Sequence, residues 1–65
     1  MFNIDIRNAM KQAGFFSYEV ASALGVSETS FSRTLSRAEL SNDKKEHIFR
    51  TIEKMYEYKK ARIEN

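Results

Sequence analysis

The strongest constraint this chain places on its own folding is the spacing inside residues 17–35, SYEVASALGVSETSFSRTL. Ala21 is followed four residues later by Gly25, and Ser27 opens a second run that contains Phe31 and Leu35. Two short helices cross tightly only where the contact position on the first is as small as alanine. The chain must then reverse through a residue that tolerates positive φ, which glycine does without steric cost. The segment therefore predicts a helix, a tight turn and a second helix. Val20, Ala21, Leu24, Phe31 and Leu35 face inward, and Val26 packs into the turn. Ser27 is the expected N-cap of the second helix, with Glu28, Thr29 and Ser30 in its first turn.

The flanks extend the same grammar. Pro is absent and glycine occurs only at Gly14 and Gly25, which suits a chain that is mostly helix. Upstream, Asn3 is the expected cap of a first helix whose apolar positions are Ile6, Ala9, Met10 and Ala13, with Asp5 in its first turn. Gly14 is its natural stop. Phe15 and Phe16 fall in the connection and are expected to plug the core from two sides. The next helix begins at Ser17 or the residue before it. Downstream, Leu40 closes a loop and Ser41 caps a last helix with Asp43 in its first turn. That helix is predicted over about residues 42–63. Its positions Ile48, Phe49, Ile52, Met55, Tyr56 and Ile63 share one stripe about 120° wide. Lys59 falls inside the stripe, where its stem can lie on apolar surface while the ammonium reaches water. Roughly 22 helical residues span about 33 Å, more than so small a domain needs to cover its own core.

Sixty-five residues make one small domain. Cysteine is absent, so helix packing must stabilise the chain without disulfides or thiolate-bound metal. The formal charge of +2 is by itself a weak pointer to nucleic acid. No apolar run approaches the length of a membrane span and no signal-peptide core is present, so a cytoplasmic protein is expected. His47 stands alone, without the companions a zinc site requires. The serines lack a His–Asp pairing or nucleophile-elbow glycines. No glycine loop suits a phosphate, and Glu53 and Glu57 read as a solvated face alternating with Lys54 and Lys59. Enzymatic activity, a cofactor, a metal and a small-molecule ligand are therefore not expected.

Taken together, Ser17-Tyr18-Glu19-Val20-Ala21, Leu24-Gly25-Val26-Ser27 and Phe31-Ser32-Arg33 resemble the phage repressor and Cro-like helix-turn-helix family, often called XRE-type. The motif covers about a third of the chain, and the flanking helices account for nearly all the rest. The resemblance implies an all-α, small four-helix, lambda-repressor-like domain over residues 1–65, with the motif at 17–36 and an extended C-terminal helix. Thr34 departs from the pattern, standing where many members carry an apolar residue, with Leu35 beside it supplying the packing. The family's usual fifth helix has no separate counterpart.

For function, the resemblance implies a transcription regulator that binds double-stranded DNA, most simply a repressor of phage or mobile-element type. The second helix of such a unit enters the major groove. By the family pattern Glu28, Thr29, Ser32 and Arg33 would read bases. Arg can bond guanine in a bidentate way, Thr can offer its methyl to thymine, and Ser can bond several edges. Glu28 can accept from cytosine N4 or simply favour the positive end of the helix dipole. Phosphates would be held by Ser17, Tyr18, Ser27, Ser36 and Arg37, and by Lys44 or Lys45. Ser27 and Ser30 also serve as caps. The C-terminal stripe, with Met55, Tyr56, Lys59 and Ile63, is expected to pair with its copy in a homodimer. Such a dimer would present two recognition helices to a pseudo-palindromic site. The alternative is a protein-interaction module on the same scaffold, with weak or no DNA binding.

Overall fold

The computed structural model describes the backbone of residues 1–64 and the side chains of residues 1–62. Its elements are α1 (Ile4–Ala13), α2 (Ser17–Leu24), α3 (Glu28–Arg37) and α4 (Asn42–Glu64). There is no strand among the described residues. The chain is therefore a small all-helical domain, with four helices among the described residues.

Each helix contributes two side chains to the buried centre: Ile6 and Met10, Val20 and Ala21, Phe31 and Leu35, Ile48 and Ile52. In α1, α3 and α4 the two are spaced i, i+4, which stacks them on one helix face. In α2 they are adjacent, because that helix is covered by α3 on one side and α4 on the other. Ala21 is 1% exposed, the close contact its size predicts. Ala9, Ala13, Phe15, Leu24, Leu40, Phe49 and Met55 pack around this centre as partly buried residues.

The two glycines end α1 and α2 by the same device. Gly14 (φ 80°) and Gly25 (φ 78°) both adopt the left-handed conformation. The Gly14 N–H donates to Lys11 O (3.1 Å) and the Phe15 N–H to Met10 O (2.9 Å). Gly25 and Val26 repeat the pattern on Ser22 O (3.1 Å) and Ala21 O (3.0 Å). Each pair satisfies the last carbonyls of its helix.

Three expectations about local packing are corrected. Asn3 sits at the N-cap position of α1, but in the left-handed region (φ 59°) and with no side-chain cap hydrogen bond. Its side chain points the other way and is 0% exposed. Nδ2 donates to Leu35 O and to Ala38 O, both at 2.8 Å, and Oδ1 accepts from the Leu40 N–H at 2.9 Å. The Asn3 backbone N–H donates to Glu39 Oε1 at 2.9 Å. Asn3 thus ties the start of α1 to the end of α3. Phe16 does not plug the core: it is 68% exposed and stacks on Tyr18 with ring centres 5.9 Å apart. As the N-cap residue of α2 it has no side-chain acceptor, so Glu19 supplies half of a capping box by accepting from the Phe16 N–H (2.9 Å). Val26 is 46% exposed, because the turn it follows lies at the surface; it borders a groove rather than filling one.

Beside Asn3, the Lys45 ammonium bridges Asp5 (3.0 Å) and Glu39, joining α1, the α3–α4 connection and α4. The Lys45 hydrogen bonds hold the Asp5 and Glu39 carboxyls below the usual carboxylate range. The same bonds, Glu39 first, push Lys45 above the ordinary lysine value. The molecule measures 40 × 21 × 18 Å. Its long dimension matches α4, whose 23 residues span about 35 Å.

Candidate nucleic-acid interface

Everything that orients α3 acts on one side of it. Phe31 and Leu35 lock its inner face into the core. The Ser27 hydroxyl caps its start by accepting from the Ser30 N–H (3.1 Å). Asn3 holds its last carbonyls. Leu35 supplies the packing, while Thr34 is exposed and its hydroxyl donates back to Ser30 O (2.9 Å).

The outer face is left clear. Glu28, Thr29, Ser32 and Arg33 are all exposed, and no other part of the described chain hydrogen-bonds to their side chains. The ten residues of α3 make a rod about 15 Å long and about 10–12 Å across, and that diameter suits a groove about 12 Å wide. The face offers a guanidinium fork, two hydroxyls, a methyl and a carboxylate.

The expected phosphate-holding residues frame this face unevenly. Ser17 and Tyr18 lie at the start of α2, with Tyr18 exposed and Ser17 partly buried. Arg37 is exposed in the last turn of α3. Ser36 is exposed, and its hydroxyl accepts from an Arg7 guanidinium N–H (3.2 Å). Ser27 is exposed, but its hydroxyl is engaged in the cap. Lys44 is exposed and borders a groove with Ser30 and Thr34. Of the two lysines considered, Lys45 drops out: its side chain is 14% exposed and held between two carboxylates.

Arg7 is the residue that sequence reasoning missed. It lies on α1, reaches Ser36 and borders a shallow groove with Ser17. Its Nε is buried without a partner among the described residues. Nothing local marks it, since its nearness to α3 comes from the packing of α1.

Among the described residues the ion pairs are Lys45 with Asp5 and Glu39, and Arg50 with Glu46. Arg7, Arg33, Arg37 and Lys44 take part in none of them, and neither do the acids Glu28 on α3 and Asp43 beside Lys44.

The predicted pairing stripe on α4 divides. Met55 packs partly against the core and Lys59 places its ammonium 5.2 Å from the centre of the Phe15 ring, both toward α2. Tyr56 is on the opposite flank, half-exposed beside Ala9, Ala13 and Phe49. The Ile63 side chain lies outside the described residues. No described helix is long and apolar enough to cross a membrane. No protein-family model, curated protein or solved structure matches the chain.

Proposed function

We propose that this protein is a sequence-specific regulator that binds double-stranded DNA through α3, most simply a repressor of phage or mobile-element type. The observation that carries the reading is the uncommitted outer face of α3. Glu28, Thr29, Ser32 and Arg33 stand exposed there, on a helix whose other side is fixed by a cap, two core residues and Asn3. In this reading Arg33 reads a guanine edge, Thr29 and Ser32 read neighbouring positions, and Glu28 accepts from cytosine or favours the helix start. Arg7, Arg37 and Lys44 neutralise phosphates, while Ser17, Tyr18 and Ser36 donate to them. Two copies, paired along the Tyr56 flank of α4, would address a pseudo-palindromic operator in successive major grooves.

The test is a titration of the protein against random and inverted-repeat duplexes at several salt concentrations. Three phosphate-neutralising cations per protomer predict a log–log salt slope of about −3, and about −5 for a dimer. Arg33→Ala should abolish the preference for one sequence, and Tyr56→Glu should return the steeper slope to the shallower one. Absence of binding at micromolar protein in low salt overturns the proposal.

A further inference from the structure

The groove between α2 and the end of α4 differs in its chemistry from the outer face of α3. It encloses about 790 Å³. Its apolar floor is Phe15, Met55 and Tyr58, and its rim carries Lys54, Lys59 and Arg62. Lys59 lies over the Phe15 ring at 5.2 Å and Arg62 over the Tyr58 ring at 5.8 Å. These cation–π contacts hold the cations at the groove edge. None of the three takes part in an ion pair among the described residues. Glu19 also borders the groove, but it accepts from the Phe16 N–H. Glu53 borders the opposite groove, with Ala9 and Phe49. The surface is therefore apolar in its floor and cationic at its rim, and Tyr58 remains 68% exposed in it.

We propose that this groove docks an acidic amphipathic helix from a partner protein. Charge complementarity selects carboxylates for the rim, and the Phe15–Met55–Tyr58 floor selects a Leu or Phe side chain between them. From residue 54 to residue 62 the rim runs about 12 Å, two helical turns. Carboxylates at i, i+4 and i+8 on a docked helix match that span. A phosphate backbone would meet the cations but leave the floor uncovered, so a peptide fits better than nucleic acid. The assignment is independent of what α3 binds.

The experiment uses the full chain and a fluorescein-labelled synthetic helix with Leu and Phe on one face and Glu on both flanks. Its counterpart has every Glu replaced by Lys. The acidic probe should bind with Kd on the order of 10–100 μM, as a small transient surface does, and weaken with salt. Its NMR shift changes should centre on Phe15, Met55 and Tyr58. Lys59→Glu, Lys54→Glu and Tyr58→Ala should each weaken it at least tenfold while circular dichroism stays unchanged, and Arg33→Ala should leave it intact. Equal binding of the Lys probe, no saturation by millimolar acidic probe, or shifts centred on α3 overturns the proposal. So does displacement of the probe by a DNA duplex with shift changes at the groove, which makes the rim a phosphate surface. A dimer broken by Lys59→Glu but not by Tyr56→Glu overturns it as well, because the occupant is then a second copy.

Discussion

Replacing Asn3 should cost this protein a large share of its stability, although the residue lies three positions from the start of the chain. The Asn3 amide makes three hydrogen bonds to the end of α3 and the connection after it. In Asn3→Ala the buried Leu35 carbonyl loses its donor, at about 1–3 kcal/mol for an unsatisfied buried group. Ala38 and Leu40 lie nearer solvent, where water can substitute, so those two bonds are worth about 1 kcal/mol each. Alanine at φ 59° adds roughly 1 kcal/mol of backbone strain that asparagine tolerates better. The sum is about 4–6 kcal/mol, against a total of about 3–10 kcal/mol for a domain of this length. Asn3→Gly should recover about 1 kcal/mol of it by relieving the strain. Asn3→Asp should be no better than alanine, because a carboxylate faces two carbonyl oxygens and Glu39. Urea unfolding followed by far-ultraviolet circular dichroism measures all three. An alanine variant within about 1 kcal/mol of wild type, or an aspartate variant as stable as asparagine, refutes the reasoning, since the carbonyl bonds then contribute little.

Gly25→Ala should cost about 1 kcal/mol through φ strain alone, since a Cβ there meets nothing within 4 Å. Gly14→Ala should match it if the Lys59 ammonium, 3.3 Å from the added Cβ, moves aside freely; a larger loss in thermal melts would show that the Phe15 contact holds the lysine. Ser27→Ala should cost about 1 kcal/mol by removing the α3 cap, measured by the same melts. Lys45→Met should alter the pH dependence of stability at both ends. Asp5 and Glu39 titrate low in the folded state, so their contribution is complete above the carboxylate range and lost as pH falls below about 4. Lys45 titrates high, so its contribution is complete at neutral pH and lost as pH rises above about 10.5. The variant should show shallower losses at both extremes in melts taken across pH; an unchanged profile would mean the bridge adds nothing. Arg37→Ala should lower the salt slope of duplex binding by about 1 without changing sequence preference, whereas Arg33→Ala should change the preference.

Much of the fold was legible in the residue types. Glycine after the last periodic residue, serine ahead of a helix start and i, i+4 apolar pairs are local signals, and each acts within a turn or two of chain. That is why the ends of α1 and α2, the cap of α3, the extent of α4 and the eight buried apolar side chains agree with expectation. The outer face of α3 was legible for the same reason, as the complement of Phe31 and Leu35 on a helix of known period. Errors arose where a residue has two uses and only distance decides between them. Asn3 has the composition of a cap and serves as a buried clamp 32 to 37 residues away in sequence. Phe16 has the composition of a core residue, but it stands at the N-cap position of α2, exposed and stacked on Tyr18.

The amino-acid sequence by itself determined that four helices form, where three of them turn, and which side of each is apolar, because those properties follow from short-range sterics, capping and the 3.6-residue period. Only the tertiary structure decided which charges are neutralised and which are left available. Lys44 and Lys45 are neighbours in the chain, yet one faces solvent beside α3 and the other sits between Asp5 and Glu39. Arg7 reaches Ser36 only because α1 packs where it does. Consecutive residues on a helix point about 100° apart, so the partner each one meets depends on elements distant in sequence.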